Sequence, residues 1–400
     1  MKSLIAAVAA AGLILAGPAA AEKKYAPGVT DAEIKIGQSF ALSGPASAYG
    51  TIPRVEAAYF KMINEQGGVN GRKLNLVTLD DAYSPPKTVE QVRRLVERDQ
   101  VAFVFNILGT APNVSVRKYL NDRKVPQLFT AAGASTFGDY RNFPWTIVLQ
   151  PSYVDEAKIY VEYIKKNKPN AKLALLSGND DAGRDYVNGI KAALGPELSR
   201  KMIVAEATFE STDPNTDSQV IGLQASGADT LFVHGVSKWA SQTIRKVYDV
   251  DWKPMFLLSA TATSVSGVLE PAGLEKAKGI VTAYYLKDPN DPQWASDAGF
   301  KDWLAFMKKY YPAGSLGDQL NVYGYTMAQA LVQTLKQCGD DLSRENIMKQ
   351  AANLDIALPM LLPGIRIKTG PNDHYGIQAQ RMMRFNGKTW ELFGDLIGNN

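Results

Sequence analysis

The stretch from Ile34 to Asp81 constrains this chain more than any other. Ile34-Lys35-Ile36-Gly37-Gln38-Ser39-Phe40 begins by alternating apolar and polar residues, a short-strand signal. A loop of mostly small residues follows, from Ala41 to Gly50. Val55, Ala58, Tyr59, Met62 and Ile63 then fall on one face of a helix that ends at Gly67-Gly68. Asn70-Gly71 turns the chain into a second strand, Lys73 to Leu79, which runs into Asp80-Asp81. Strand, loop, helix and strand make one βαβ unit, and such a unit implies a parallel sheet. Ligands of parallel sheets collect at the carboxyl ends of the strands, against helix N-termini. This predicts a site on the rim formed by the Ser43–Tyr49 and Asp81–Tyr83 loops.

The plan repeats along the chain. Pro85-Pro86 breaks it, and Thr88 is placed to cap a helix whose apolar face is Val89, Val92, Leu95 and Val96. Val101 to Leu108 reads as a strand buried on both faces, with Gly109 to Asn113 as exit loop and a helix from Val114 to Asp122. Pro126 to Thr130 is the next strand, leaving through Ala131-Ala132-Gly133-Ala134-Ser135. Loops of such small residues let backbone N–H groups approach a ligand closely. A new series starts after Gln150-Pro151-Ser152: a helix from Val154 to Lys165, a strand from Lys172 to Leu176, a small-residue loop from Ser177 to Asp185, and a helix carrying Tyr186, Val187 and Ile190. Ala205 to Phe209, Thr230 to His234 and Met255 to Leu258 add strands, with a helix from Gln242 to Val250 between the last two. Ile280 to Tyr285 reads as a return crossover, and the helices Phe300 to Tyr310 and Val322 to Gln337 return to the first half. Gln378 to Phe385 and Trp390 to Phe393 form a closing hairpin, for which Asn386-Gly387 suggests a type I′ turn. The expectation is an α/β fold of two similar lobes with mainly parallel sheets flanked by helices.

Length agrees, since 400 residues exceed one core of usual size. The net charge of +4 is spread, and no basic block interleaved with aromatics offers a nucleic-acid surface. The densest basic run, Lys165-Lys166-Asn167-Lys168, marks a helix C-terminus. Met1-Lys2-Ser3, the apolar run from Leu4 to Ala16 and Ala19-Ala20-Ala21 read as a secretory signal peptide cut after residue 21, with the periplasm as destination. That run is too short to span a bilayer comfortably. The one cysteine, Cys338, permits no intramolecular bridge.

Signatures of catalysis are absent: there is no G-x-S-x-G, H-E-x-x-H, G-x-x-x-x-G-K-[ST] or G-x-G-x-x-G. Two histidines, His234 and His374, are too few for a zinc site. Asp80-Asp81 and Asp180-Asp181 resemble paired carboxylates. Adjacent residues at a strand end point oppositely, however, and an aspartate before a helix is commonly its cap. The sequence therefore describes a binder, not an enzyme, and calls for no cofactor or metal.

The runs Phe40-Ala-Leu-Ser-Gly-Pro-Ala-Ser-Ala-Tyr-Gly50, Asn64-Glu-Gln-Gly-Gly-Val-Asn-Gly-Arg-Lys-Leu74 and Asp80-Asp-Ala-Tyr-Ser-Pro85 resemble the branched-chain amino-acid binding family, the type I periplasmic receptors of ABC transporters. The resemblance extends over almost all of the chain after the leader. It implies lobes at 30–149 plus 282–376 and at 150–281 plus 377–400, joined by a three-crossover hinge. It also implies delivery of a small molecule to an inner-membrane permease and its ATPase. Some relatives carry a disulfide between the positions of Tyr83 and Gly109, and neither is cysteine here.

The resemblance also implies a pocket. A hydroxyl at Thr110, between Leu108-Gly109 and the next loop, would hold a carboxylate with the backbone of Ala131, Ala132 and Gly133; Gly133 stands where relatives have threonine. The acidic ammonium partner of those relatives aligns with Ala260 and their tyrosine with Ala182, so both are missing. Asp180 or Asp181 is the candidate substitute. Tyr49 matches a pocket position, while Tyr83, Trp239, Tyr284 and Tyr323 are rim aromatics. His234, at a strand end, reads equally as pocket-lining or core. Burying an ammonium without a carboxylate costs several kcal/mol, so the expected ligand is a small organic carboxylate lacking one, aromatic acids first. Amino acids come second, and a sensory receptor is the rival role, because one fold serves both.

Overall fold

Two separate sheets carry the fold in the computed structural model, which describes residues 23–398. The expected leader lies outside those residues. The first sheet contains β1 (Glu33–Phe40), β2 (Lys73–Asp80), β3 (Phe103–Phe105), β4 (Gln127–Thr130) and β5 (Thr146–Val148), all parallel, in the order β2-β1-β3-β4-β5. The second contains β6 (Leu173–Gly178), β7 (Ile203–Phe209), β8 (Thr230–His234), β9 (Met255–Leu258) and β10 (Val281–Tyr284), parallel in the order β7-β6-β8-β9-β10. The antiparallel pair β11 (Ala379–Phe385) and β12 (Trp390–Gly398) extends it beyond β10. Both sheets share one strand order, so each has a switch point beside its first strand, where crevices form.

Helices cover both sheets. α1 (Thr51–Glu65) buries Val55, Tyr59 and Ile63, and stops where Gly67 and Gly68 take positive φ. α2 (Pro85–Arg93), α3 (Thr110–Asp122), α4 (Tyr153–Asn167), α5 (Asp181–Met202), α6 (Asp217–Ala225) and α7 (Ser237–Asp249) follow in the gaps between strands. α8 (Ala298–Tyr310) and α9 (Gln319–Cys338) return to pack on α1. The chain thus passes between the sheets three times, near residues 149–152, 285–287 and 376–378.

Several local expectations are corrected. Thr88 does not cap a helix: α2 starts at Pro85, whose missing N–H costs nothing in a first turn, and the Thr88 hydroxyl bonds Asp81 instead. β3 is shorter than 101–108, because Asn106 takes φ 49° and only a bridge joins Leu108 to Ala131 beyond it. Residues 110–113 are no loop; Pro112 fits the first turn of α3. Residues 281–284, read as a crossover, are hydrogen-bonded into the second sheet on both sides. In the final hairpin the Asn386 N–H donates to Thr389 O, and Gly387 alone has positive φ, so the turn is not type I′, which needs positive φ at both central residues. α6 was not anticipated. Cys338 is free and buried, and its thiol donates to the Thr334 carbonyl.

Candidate functional site

The carboxyl ends of the two sheets face each other across a cavity of about 260 Å³. From the first sheet come Tyr49, Tyr83 and Thr110. Asp81 organises this rim: it accepts from Ser39 Oγ at 2.7 Å, Tyr83 N–H at 2.9 Å and Thr88 Oγ1 at 3.0 Å. Asp80 accepts from the backbone of Leu42, Ser43 and Ala82. Both aspartates are loop clamps. Tyr83, itself at φ 61°, lays its ring against Gly109, where φ is 87° and a Cβ would come within 2.5 Å of the ring. Glycine there lets the ring close one wall of the cavity in place of a disulfide.

Thr110 opens α3, so its own N–H and that of Ala111 have no intrahelical acceptor and carry the positive end of the helix dipole. Thr110 Oγ1 is buried without a hydrogen bond of acceptable geometry, although the Tyr153 hydroxyl stands near enough to interact. Thr110 and Ala111 both line the cavity, so the first turn of α3 forms part of its wall.

The second sheet supplies His234, Ala182, Ala260 and a residue the sequence reading missed, Glu156. Its carboxyl accepts from the Tyr160 hydroxyl at 2.6 Å and the Ala260 N–H at 2.8 Å on one oxygen, and from the Tyr186 hydroxyl at 2.9 Å on the other. Glu156 is 1% exposed, and burial pushes its pKa up to about 7 against the pull of those donors. It belongs to the buried stripe of α4 with Tyr153, Ala157 and Tyr160. A charged residue at i+3 within an apolar stripe was the signal available.

Around these groups stand Tyr49, Tyr153, Tyr284, Tyr285, Tyr323 and Trp239, each at most 5% exposed. Tyr153 stacks on Tyr186 at 4.8 Å, and Tyr186 lies 4.6 Å from the His234 ring. His234 bonds Ser259 Oγ through Nδ1 at 3.1 Å, and burial lowers its pKa to about 4, so it is neutral near pH 7. The rims touch: Tyr49 donates to Thr261 O at 2.6 Å, and Ser135 N and Oγ meet the Asp185 carboxylate at 2.6 and 2.7 Å.

Tyr49, Tyr83, Leu108, Gly109, Thr110, Ala131, Ala182, His234, Ala260 and Tyr323 line this one cavity, as do Trp239 and Tyr284. Ala132, Gly133 and Asp181 do not. A Cβ on Gly133 would sit 2.0 Å from Pro151 O and 3.0 Å from the Tyr153 ring, so that ring occupies the place a longer side chain would take. Ala132 is wholly buried. Asp181 pairs outward with Arg184, while Asp180 caps α5 through the Gly183 N–H. Among the described residues, no lysine or arginine lines the cavity, no group of three or more His, Cys, Asp or Glu is placed to hold a metal, and no helix is long and apolar enough to cross a membrane.

Two α/β lobes of equal strand order, closing on a cavity at their switch points, define a two-lobe binding protein. Residues 33–389 match the family model described as "Periplasmic binding protein", and the chain belongs to that family. It is 22% identical over 348 residues to Leu/Ile/Val-binding protein homolog 1 of Brucella suis, covering 86% of each chain. Among solved structures it resembles a branched-chain amino-acid ABC transporter protein from Thermus thermophilus with bound valine, with a TM-score of 0.81 and 18% identity over 92% of this chain and 97% of that one. It also resembles an ABC transporter solute-binding protein from Rhodopseudomonas palustris in complex with 3,4-dihydroxybenzoic acid, with a TM-score of 0.77 and 18% identity over 92% and 98%. The fold is that of type I periplasmic binding proteins, a family of solute-binding proteins.

Proposed function

We propose that this protein captures a small aromatic carboxylate between its lobes and delivers the closed complex to an inner-membrane ABC permease. Its export would follow cleavage after residue 21. The observation that carries the ligand class is the pairing of an aromatic-walled cavity with the buried Thr110 hydroxyl at the N-terminus of α3, which makes no well-formed hydrogen bond. Donors at a helix N-terminus suit a carboxylate, and stacked phenols suit a flat apolar body. Ala182 and Ala260 leave out the side chains that hold an α-ammonium in amino-acid-binding relatives. The 3,4-dihydroxybenzoic acid complex of the Rhodopseudomonas palustris protein supports the reading by showing that this fold can accept such a ligand.

The second reading is an amino acid, and Glu156 favours it, because a buried carboxyl stands beside Ala260 where an ammonium partner is otherwise missing. Three donors already occupy that carboxyl, which weighs against a fourth from the ligand. A thermal-shift comparison of benzoate-like and phenylpropenoate-like acids with leucine, valine and phenylalanine tests the choice. Stabilisation by the amino acids alone would refute the aromatic-acid reading.

A further inference from the structure

The Tyr160 hydroxyl has one hydrogen and two obligate acceptors to serve, beside the Thr282 hydroxyl at 3.3 Å, which can donate or accept. The phenol oxygen lies 2.6 Å from Glu156 Oε1 and 2.9 Å from the Leu258 carbonyl. If Glu156 is ionised, both neighbours are pure acceptors, and one of them faces a phenol lone pair in a buried site. If Glu156 carries a proton, every group is satisfied: its O–H donates to Tyr160, Tyr160 donates to Leu258, and the Ala283 N–H at 3.3 Å adds a donor to the phenol oxygen. Tyr186 and the Ala260 N–H keep their bonds to the carboxyl in either form.

Among the described residues, no lysine or arginine lines the cavity to offset a negative charge here. The phenols of Tyr153, Tyr160, Tyr186 and Tyr285 face Glu156 from α4, α5 and the end of β10, and Gln380 faces it from β11. His234, at the end of β8, is neutral, and the other acidic side chains lining the cavity are Asp180 and Glu210, just after β6 and β7. An anionic ligand entering this cavity would meet a second buried anion unless Glu156 were protonated.

We propose that Glu156 is the specificity-determining residue of the cavity, and that a net-anionic aromatic acid binds only with Glu156 in its neutral form, taking up a proton where Glu156 is ionised beforehand. The proton moves from solvent to a Glu156 oxygen, and no other bond changes. This rests on the aromatic-acid reading. It also explains how a pocket with a buried glutamate admits acids. Above the free-state pKa of about 7, uptake of the ligand and of the proton are linked.

Calorimetric titration of benzoate and of phenylpropenoate, in buffers of different protonation heat from about pH 6 to 8.5, measures that linkage. Proton uptake should approach one per ligand at the alkaline end, and affinity should fall up to about tenfold per pH unit above neutrality. In Glu156→Gln both effects should vanish, and the acids should bind more tightly than to wild type at about pH 8.5. Acid binding with no proton uptake and a flat profile overturns the inference and leaves the aromatic-acid reading standing. If neither acid binds, while leucine binds to wild type and not to Glu156→Gln, the reading falls and the inference with it. Infrared difference spectra of unliganded wild type and Glu156→Gln give a ligand-free check. A protonated-carboxyl band at about pH 6, absent from the variant, is expected; its absence from wild type counts against the neutral form.

Discussion

Tyr49 Oη, on the loop after β1, lies 2.6 Å from the carbonyl of Thr261, on the loop after β9, and so joins the two rims of the cavity. The Ser237 N–H reaches the same oxygen at 3.3 Å, from the start of α7. Both bonds run from the loops of the first sheet to those of the second. Opening would return the phenol, the carbonyl and the amide to water. Contacts of this kind are what the closed state of a hinged two-lobe protein would have to make.

Removing that hydroxyl while keeping the ring should shift the balance toward the open state. Tyr49→Phe should weaken ligand binding by about 1 kcal/mol, roughly fivefold, the usual net worth of a neutral hydrogen bond. Small-angle scattering should show a smaller radius of gyration on ligand saturation in wild type, with a higher ligand concentration needed in the variant. Profiles unchanged by saturating ligand in wild type would rule out capture by closure.

Thr110→Val keeps the volume and removes a buried hydroxyl whose one neighbour able to hydrogen-bond is the Tyr153 phenol, in poor geometry. If this hydroxyl holds a carboxylate, affinity should drop by roughly 1.5–3 kcal/mol, about ten- to a hundredfold, as for a hydrogen bond to a charge. Stability of the unliganded protein should change much less, because the hydroxyl makes no well-formed native bond. Methyl esters should bind poorly to both proteins. An ester that binds as well as its acid would remove Thr110 from the site.

Glu56 offers a prediction on stability. It is wholly buried on α1, and its carboxyl accepts from Gln38 Nε2 at 2.6 Å and from Asn106 Nδ2. Asn106 Oδ1 in turn accepts from Tyr323, which lines the cavity. Burial raises the Glu56 pKa from 4.5 to about 8. Between those values the unfolded chain has released the proton that the folded one keeps. Stability from this group is therefore complete below pH 4.5 and is lost as pH rises toward 8, at up to about 1.4 kcal/mol per pH unit. Urea titrations across that window should show the decline in wild type and a shallower one in Glu56→Gln. Equal slopes would mean that Glu56 is ionised in the folded state.

Much of the fold was legible because strands buried on both faces leave long apolar runs between small-residue loops. Thr230–His234 and Met255–Leu258 coincide with their sequence reading to the residue. Helix starts were less legible. Thr110 and Asp181 begin helices that sequence placed several residues later, since Pro112 and Gly183 read as loop residues but fit a first turn. Most of the aromatic wall was anticipated one residue at a time. Tyr153 and Glu156 were not, because what sets them apart is long-range packing: the Glu156 carboxyl meets the backbone of Ala260 only once α4 has docked beside β9. The alanine at 260 was visible in the sequence, whereas the carboxyl beside it was not.

Which ligands the cavity accepts is measured most directly by binding calorimetry at about pH 6.5 with benzoate, phenylpropenoate, leucine and phenylalanine. In a thermal-shift scan, a ligand at a hundred times its dissociation constant adds about 2.7 kcal/mol to native stability, so binders are easily told from bystanders. The expected result is binding of at least one aromatic acid with higher affinity than either amino acid, and a loss of that binding in Thr110→Val. Binding of leucine with no aromatic acid bound would contradict the account and make Glu156 the ammonium partner.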